Sequence, residues 1–243
     1  MIISKQNALV KEIKSLHDKK FRDRLGVYVV EGIKPVKEAI ELGLNIRDVV
    51  VTDKVCPLIP NHDRTVVVSD AVFEYLSEEV TPQGAMAIVI KSPNVIKSPT
   101  GNCLLLDGVS DPSNVGAIIR TAAAAGYKDV YMTCECADPY SQKAVRSSMS
   151  CIFRVNVMRG ELDALLENIT LPLVVADMDG QNAFNFNTDG DICLVIGNEG
   201  RGVSERVREK AKYTVSIPME NGVESLNAAV SAGILMYGLK KKA

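Results

Sequence analysis

Arg120 stands alone among small and apolar residues in the stretch DGVSDPSNVGAIIRTAAAAG (107–126). If this stretch is helical, the residues three and four positions away are all glycine or alanine, and none can pair with a guanidinium. The partner of Arg120 must then lie outside its helix. Two partners fit: a carboxylate from another loop, such as Glu199, or a phosphate or substrate oxygen that arrives with a ligand.

A second segment, LVIGNEGRGVS (194–204), holds Glu199 between glycines at the end of an apolar run. The glycine spacing GxxGxG matches neither the phosphate loop nor the dinucleotide fingerprint. A glycine cluster after a strand is usually only a tight turn. A carboxylate fixed in such a turn is nevertheless well placed to meet a ligand, because binding residues are often carried on loops.

A third segment, VSIPMENGVESLNAAVSAG (215–233), leads from a strand into a helix for which we predict a cap near Ser225. Ser225 and Asn227 would then lie beside free backbone amides, a usual place for a ligand. The many small residues that follow predict close packing of this helix against another one. For the helix that carries Arg120, Ser113 or Asn114 is the predicted N-cap.

Apolar runs alternate with helical patterns in the second part of the chain. The predicted strands cover 103–106, 130–134, 152–157, 173–176, 192–196 and 213–217. Strands that are apolar throughout and alternate with helices predict an α/β fold with a parallel sheet covered on both faces. Ligands of such sheets bind beyond the carboxyl ends of the strands, where all three segments fall.

The stretch KSPNVIKSPTGN (91–102) separates this part from a smaller one, because its two Ser-Pro steps disfavour regular structure. The predicted boundaries are a first domain over 1–92, a linker over 93–102 and a second domain over 103–243. In the first domain, helices are predicted over 7–20, 35–42 and 70–76, and strands over 27–30, 46–51, 65–68 and 85–90.

The net charge of −2 and the pI near 5.8 give no global sign of a nucleic-acid partner. Residues 1–24, however, hold seven Lys and Arg against three acidic residues. This segment is either a solvated amphipathic helix or a surface that contacts phosphates. In the second case, the RNA-binding candidates are Lys19, Lys20, Arg22 and Arg24.

The six cysteines are scattered without a CxxC pair, and the only two histidines lie far apart in sequence. This pattern predicts neither a metal site nor a disulfide framework. We therefore expect reduced thiols and a cytoplasmic protein. No run reaches membrane-spanning length and the N-terminus lacks the apolar core of a signal peptide, so no membrane partner is expected.

Taken in order, DPSNVGAIIRTA, IGNEGRG and IPMENGVESLNAAVSAGIL resemble the three motifs of the SpoU (TrmH-like) family of RNA 2′-O-ribose methyltransferases, in the SPOUT superfamily. GVYVVEGIKPVKEAIELG (26–43) and the TPQG turn (81–84) are more weakly similar to the small RNA-binding domain of the family, which is similar to certain ribosomal proteins. The resemblance covers nearly the whole chain.

The resemblance implies a C-terminal parallel-sheet SPOUT domain with a deep trefoil knot, preceded by a small α/β RNA-binding domain. General topology rules alone would never predict a knot. The knot would hold S-adenosylmethionine, and the family implies a homodimer that packs knot against knot. Carried over by position, the cofactor-binding residues are Gly197, Ile217, Met219, Leu226 and Asn227.

The implied reaction is an in-line attack of a ribose 2′-hydroxyl on the sulfonium methyl group. The family makes Arg120 the centre of catalytic proposals, some of which cast it as the base. Because guanidinium groups stay protonated in proteins, we expect Arg120 to bind the adjacent phosphate and orient the 2′-oxygen instead. Asn114 would support the same oxygen, Glu199 would hold Arg120 or the third segment, and Ser225 and Asn227 would complete the catalytic set.

Ribosomal RNA is favoured over transfer RNA, because family members with the extra domain more often act on ribosomal RNA. The alternatives are a transfer-RNA methyltransferase, an enzyme that methylates a base, and a non-catalytic RNA-binding or ribosome-assembly factor. The complete set of motif residues disfavours the last, and SLNAAV favours ribose over base. With 5% aromatic residues and no tryptophan, no base-stacking platform is obvious, so recognition of shape and phosphates is expected.

Overall fold

The computed structural model describes residues 1–220 and 225–239, which divide into two compact units. Unit 1 combines Met1–Pro93 with Tyr140–Phe153. Unit 2 combines Asn94–Pro139 with the chain from Arg154 onward. One stretch of the range predicted as the second domain, Tyr140–Phe153, thus belongs to the first unit.

The helices and strands of the described residues are numbered in chain order. The α-helices are α1 (Ala8–Ser15), α2 (Lys19–Leu25), α3 (Ile33–Glu41), α4 (Asp70–Leu76), α5 (Pro112–Ala125), α6 (Gln142–Ser147), α7 (Leu162–Asn168), α8 (Glu205–Lys210) and α9 (Ala228–Gly238). The strands are β1 (Val27–Glu31), β2 (Ile46–Thr52), β3 (Thr65–Val68), β4 (Ala85–Ile90), β5 (Cys103–Asp107), β6 (Asp129–Thr133), β7 (Asn156–Gly160), β8 (Leu173–Asn182), β9 (Cys193–Gly197) and β10 (Tyr213–Ser216).

Unit 1 is built on a four-stranded mixed sheet in the order β1-β4-β2-β3. Strand β4 runs antiparallel to both β1 and β2, and β2 runs parallel to β3. Apolar side chains of α1 and α4 pack with this sheet in one buried cluster, which includes Val10, Ile13, Phe73 and Ile88. On the unit-1 sheet, α6 packs against β1.

The single helix predicted over 7–20 is wrong, because the chain breaks between α1 and α2. Asn7 caps α1 by accepting a hydrogen bond from the Leu9 amide at 2.9 Å. Asp18 caps α2 by accepting one from the Lys20 amide, also at 2.9 Å. Side-chain oxygens of Asn and Asp commonly satisfy the free amides of a first turn, so a second cap starts a second helix.

Unit 2 contains a six-stranded sheet in the order β10-β8-β9-β5-β6-β7, and every neighbouring pair is parallel. The central strands β5 and β9 are buried almost along their whole length. The parallel sheet predicted for this part of the chain is therefore confirmed. Its carboxyl edge carries the 107–112 turn after β5 and the 197–204 turn after β9, which brings the first two segments together.

The strand predicted over 152–157 is wrong in its first half. A short 3₁₀ turn occupies Cys151–Arg154, and β7 begins only at Asn156. The two preceding residues, Met149 and Ser150, have left-handed φ values of 49° and 66°. Few non-glycine residues adopt this conformation, so the sequence carried no turn signal there.

Strand β8 extends to Asn182, six residues beyond its predicted end at 176. Its partner β10 shifts register between Thr214 and Val215. The backbones are so close there that a Cβ on Gly180 would lie 2.4 Å from the carbonyl carbon of Val215. Only glycine fits at this approach.

Within residues 1–220 and 225–239, no helix is long and apolar enough to cross a membrane. Over the same residues, His, Cys, Asp and Glu side chains nowhere gather in a group of three or more that could hold a metal ion.

Candidate functional site

A cavity of about 690 Å³ opens in unit 2 at the carboxyl ends of β9 and β10, beside the middle of β8. All five residues predicted to bind the cofactor line it: Gly197, Ile217, Met219, Leu226 and Asn227. Glu199 and Ser225, from the predicted catalytic set, also line the cavity. The structure thus brings the second and third segments of the sequence together around one volume.

The first segment reaches this region through α5, whose N-cap is Asp111. Its carboxylate accepts a hydrogen bond of 2.7 Å from the Ser113 amide. The predicted cap at Ser113 or Asn114 is therefore wrong by two or three residues. Pro112, which lacks an N–H, occupies the first turn, where helical amides have no partner within the helix. With the cap at Asp111, Asn114 is buried inside the first turn and its amide is left for other segments.

Asn114 joins all three segments by hydrogen bonds. Its Nδ2 donates to Glu199 Oε1 at 2.8 Å, and its Oδ1 accepts from Asn227 Nδ2 at 2.9 Å. Asn227 in turn caps α9, because its Oδ1 accepts from the amides of Ala229 at 2.9 Å and Val230 at 3.3 Å. The predicted cap of this helix near Ser225 is therefore wrong by two residues.

Glu199 accepts three further hydrogen bonds from the turn before α5. The Ser110 amide donates at 3.0 Å, the Ser110 hydroxyl at 2.8 Å and the Asp111 amide at 3.3 Å. Burial alone would raise the pKa of the Glu199 carboxyl. The hydrogen bonds from Ser110 and Asn114 outweigh burial and lower the pKa to about 2. Glu199 is therefore a fixed anion that holds the first segment against the second.

The turn around Glu199 depends on close backbone contact. A Cβ on Gly197 would lie 2.3 Å from the carbonyl carbon of Gly202, so no larger residue fits. Gly202 itself has a left-handed φ of 69°. Asn198 closes the turn, since its Oδ1 accepts from the Gly200 and Arg201 amides at 3.0 Å and its Nδ2 donates to the Gly108 carbonyl at 2.8 Å.

Arg120 is exposed on α5. Across the two described ranges it makes no hydrogen bond or ion pair, so the predicted contact with Glu199 does not form. The acceptors of Glu199 are engaged by Ser110, Asp111 and Asn114 instead. Arg120 lies six residues after Asn114, which is about 9 Å along the helix axis. Its guanidinium is thus available to an external anion.

Two charged residues of the cavity wall lie outside the three segments and were missed at the level of sequence. Asp177 and Arg208 line the cavity and form an ion pair of 2.5 Å between Oδ2 and Nη1. The Asp177 side chain is 14% exposed. Neither residue belongs to a motif, and only the long β8 brings Asp177 to this edge. No signal in the sequence could have identified the pair.

The predicted RNA-binding residues lie on α2 of unit 1. Lys19, Lys20 and Arg24 are exposed. Arg22 is only 3% exposed, and its Nη1 donates to the carbonyl oxygens of Leu16 at 2.7 Å and His17 at 2.8 Å. The prediction that Arg22 contacts RNA is therefore wrong: the guanidinium satisfies the carboxyl end of α1.

Two family models match the chain. The SpoU rRNA Methylase family matches residues 101–237, which include all three segments. The MRM3-like substrate binding domain matches residues 7–87, within unit 1.

Proteins of known name and structure are similar over almost the whole chain. The 23S rRNA (guanosine(2553)-2'-O)-methyltransferase RlmP of Bacillus subtilis is 32% identical, with 98% of each chain covered. The crystal structure of an AdoMet-bound rRNA methyltransferase from Sinorhizobium meliloti has a TM-score of 0.87 at 27% identity, covering 98% of this chain and 95% of the other. The SpoU methyltransferase AviRb from Streptomyces viridochromogenes, in complex with AdoMet, has a TM-score of 0.86 at 26% identity, covering 96% and 97%. The match to more than half of the chain, together with the full-length relative, shows that this chain belongs to the SpoU rRNA methylase family.

Proposed function

We propose that this protein is an S-adenosylmethionine-dependent methyltransferase that modifies a ribose 2′-oxygen in ribosomal RNA. One observation carries the proposal: the hydrogen-bonded series Glu199–Asn114–Asn227 joins the three family motifs beside a cavity of cofactor size. The similar protein RlmP is a 23S rRNA 2'-O-methyltransferase, which agrees with this activity.

The cavity fits the methyl donor in size and chemistry. Its volume of about 690 Å³ lies within the range of about 300–1,000 Å³ that is usual for small-molecule and cofactor sites. Ile217, Met219 and Leu226 supply apolar contacts, and the backbone at Gly197 lies close to the cavity with no side chain between. Asp177 and Arg208, paired with each other, add a polar stretch to the cavity wall. Bound there, S-adenosylmethionine supplies an electrophilic sulfonium methyl group.

The proposed role of Arg120 is to bind the phosphate next to the target ribose. Guanidinium groups pair with phosphate oxygens through two parallel hydrogen bonds and remain protonated in proteins. Arg120 therefore fixes the nucleotide and orients its 2′-oxygen, while the proton leaves to that phosphate or to water. Alignment of this kind can supply much of the rate of a displacement reaction.

Asn114, Glu199 and Asn227 act as positioning residues in this scheme. Both polar atoms of the Asn114 side chain are engaged, with Glu199 and with Asn227. These hydrogen bonds hold the first turn of α5, and with it Arg120, in a fixed position relative to α9 and the cavity. Ser225 lines the cavity without being part of this series and is the proposed contact of the target ribose.

We also propose the finer architecture that the family implies. A methyltransferase domain over 103–243 would contain the trefoil knot, and a substrate-binding domain over 1–92 would precede it, joined by a linker over 93–102. The close backbone approach of Gly180 in β8 to Val215 in β10, two segments far apart in sequence, supports the knot. Residues 221–224, within the third motif, lie outside the described residues.

The proposed assembly is a homodimer through α9. Two large apolar side chains of this helix, Val230 and Tyr237, are 50% and 55% exposed. Exposed apolar patches of this kind often mark protein–protein contacts. A cytoplasmic location is proposed for the same protein, because its six cysteines are free thiols.

The test is transfer of labelled methyl from S-adenosylmethionine to total RNA from cells that lack this gene. The RNA is separated by size and digested to nucleosides. Label in ribosomal RNA as a 2′-O-methyl nucleoside supports the proposal. Label in transfer RNA would show that transfer RNA is the substrate, and label on a base would show that a base is methylated. Isolated ribosomal subunits are assayed in parallel, because an assembled particle can be the substrate. No label in RNA or particles, with cofactor bound, overturns the enzyme in favour of a binding factor.

A further inference from the structure

Arg201 is an exposed cation at the edge of the cofactor cavity, and it has no role in the methyl transfer proposed above. It lines the cavity from the 197–204 turn, and its side chain is 78% exposed. Within residues 1–220 and 225–239 its guanidinium forms no hydrogen bond and a single ion pair, with Glu135. A guanidinium carries several N–H donors, so most of the capacity of Arg201 to bind an anion is unused.

The ion pair between Arg201 and Glu135 is weak. Arg201 Nη2 and Glu135 Oε2 are 3.9 Å apart, and the Glu135 side chain is 72% exposed. Ion pairs between exposed side chains contribute little to stability, because water solvates both charges. A phosphate can accept two parallel hydrogen bonds from a guanidinium, which is a stronger contact. Glu135 is thus a partner that a phosphate can displace.

The backbone of Arg201 is held in place, although its side chain is exposed. Asn198 and Gly202 exchange two backbone hydrogen bonds of 2.9 Å, which close the turn. The Arg201 amide donates to Asn198 Oδ1 at 3.0 Å, and Asn198 Nδ2 fastens the turn to the Gly108 carbonyl at 2.8 Å. A side chain on a fixed backbone loses less conformational freedom on binding than one on a mobile loop.

The ion pair lies over the turn between β5 and α5. A Cβ on Gly108 would lie 3.6 Å from Glu135 Oε2, the atom that pairs with Arg201, and 3.7 Å from the Cβ of Asn198. Two residues later, Ser110 donates its amide and its hydroxyl to Glu199. An anion bound by Arg201 would therefore lie beside the turn that leads into α5, the helix of Arg120.

Two anionic groups come to this edge in the proposed reaction, the carboxylate of S-adenosylmethionine and the phosphates of RNA. The guanidinium is directed toward Glu135, which is not among the described residues that line the cavity. Small ligands are usually buried over most of their surface, whereas an RNA strand must pass outside the cavity to bring one ribose to it. An exposed guanidinium that faces away from the cavity therefore fits the RNA.

From this geometry we propose that Arg201 leaves Glu135 and binds a phosphate of the RNA substrate. This gives the strand a second phosphate contact besides that of Arg120 and positions it at the edge of the cavity. Arg201 takes no part in the proton transfer, and the exposed carboxylate of Glu135 is left in water. The inference rests on the proposed function, because it takes RNA as the substrate.

The first test is filter binding of labelled ribosomal RNA, from cells that lack this gene, to the full-length protein. Arg201→Ala should raise the Kd for RNA at least about fivefold, the loss expected for one hydrogen-bonded contact between charged groups. Because each phosphate contact releases counterions, the slope of log Kd against log salt concentration should fall by about one. Arg206→Ala, at an exposed arginine of α8 that pairs with Asp163, is the matched control and should keep the wild-type Kd and slope.

The second test separates a substrate contact from a structural ion pair. In steady-state methyl transfer, Arg201→Ala should raise the KM for RNA and leave the kcat and the cofactor Kd unchanged. Glu135→Gln should leave the KM unchanged or lower it, because it removes the competing partner of Arg201. Arg201→Lys keeps the charge but not the two parallel hydrogen bonds, so its KM should lie between those of wild type and Arg201→Ala.

Three results would overturn the inference. An unchanged Kd and salt slope in Arg201→Ala would show that Arg201 does not contact RNA. Equal increases of the KM in Arg201→Ala and Glu135→Gln would show that the ion pair is structural, and weaker cofactor binding in Arg201→Ala would assign its anion to the cofactor carboxylate. If the wild-type protein transfers no methyl group to any RNA, the proposed function fails, while filter binding still decides whether Arg201 contacts RNA.

Discussion

Asn114 and Asn227 are 113 residues apart in sequence and are joined by a hydrogen bond of 2.9 Å. Asn227 Nδ2 donates to Asn114 Oδ1, so the first turn of α5 is fastened to the first turn of α9. Asn114 also donates to Glu199. A substitution at either asparagine should therefore alter the hydrogen bonding of the other. Hydrogen bonds therefore hold α5, the helix that carries Arg120, to the proposed cofactor cavity.

Asn114→Ala and Asn227→Ala should be strongly non-additive in stability. Each single change leaves a polar group without its partner, at a cost of about 1–3 kcal/mol, and the double change should cost less than the sum. Contacting residues in one network typically couple by about 0.5–3 kcal/mol. Urea unfolding followed by circular dichroism measures the four free energies of unfolding. As a control, the effects of Asn114→Ala and of Asn168→Ala, on α7, should be additive. Additive effects of Asn114→Ala and Asn227→Ala would contradict the hydrogen-bonded series Glu199–Asn114–Asn227.

Arg120→Ala should lower methyl transfer at least about a hundredfold, the scale of loss expected when an electrostatic contact beside the reacting group is removed. The cofactor Kd should stay within about threefold, since Arg120 does not line the cofactor cavity. Transfer of labelled methyl gives the rate, and calorimetry gives the Kd. Arg206→Ala, at an exposed arginine of α8, is the matched control. Lost cofactor binding in Arg120→Ala would show that Arg120 supports the fold instead.

The sheet of unit 2 could be predicted because its strands are buried on both faces and read as unbroken apolar runs. Val195 and Leu105 have no exposed surface, and each stands in such a run. The cavity residues followed from the family motifs. The hydrogen-bond partners within the site could not be predicted. Bonds such as that between Asn114 and Glu199 depend on helix N-caps that lie two or three residues away from the predicted positions.

Arg22 shows that the sequence pattern does not predict the contacts of a charged residue. The sequence does not distinguish an arginine that faces solvent from one that faces the end of a neighbouring helix. Here the Arg22 guanidinium donates to two backbone carbonyl groups. Met149 and Ser150 show the same for turns, since no glycine marks their left-handed conformations. The packing of Tyr140–Phe153 in unit 1 is a third case, because sequence order placed it inside the other domain.

Glu199→Gln should remove a pH-dependent part of the stability. The folded pKa of Glu199 is about 2 and its ordinary value is 4.5, so ionisation stabilises the fold. This contribution is complete above about pH 4.5 and is lost as the pH falls toward about 2. The gap in urea midpoint between wild type and Glu199→Gln should therefore shrink over that window. Asn168→Ala removes no ionisable group, so its gap should stay constant over that window, and a pH-independent gap at Glu199 would be contrary to the assignment.

Gly197→Ala should abolish cofactor binding and destabilise unit 2. The added Cβ would lie 2.3 Å from the carbonyl carbon of Gly202, and the nearest atoms are all backbone of Gly202 and Val203, which cannot easily shift. Overpacking of this kind typically costs about 1–3 kcal/mol. Calorimetry with S-adenosylmethionine and urea unfolding measure the two effects. At Gly190 a Cβ meets nothing within 4 Å, so Gly190→Ala should bind the cofactor normally. Normal binding by Gly197→Ala would mean that the turn is looser than this geometry requires.

Val230→Glu and Tyr237→Glu should convert the proposed dimer to a monomer. Both side chains project from α9 and are at least half exposed in the single chain, so an apolar contact between two copies is the arrangement that would cover them. A charge at either position would have to be buried unpaired in that contact, which costs several kcal/mol. Sedimentation velocity gives the mass in solution. Val80→Glu carries the same change at a fully exposed valine of unit 1 and should leave the mass at the wild-type value. Methyl transfer is measured on the same variants. A monomeric wild type with full methyl transfer would separate the two properties and leave the exposed face of α9 for another partner.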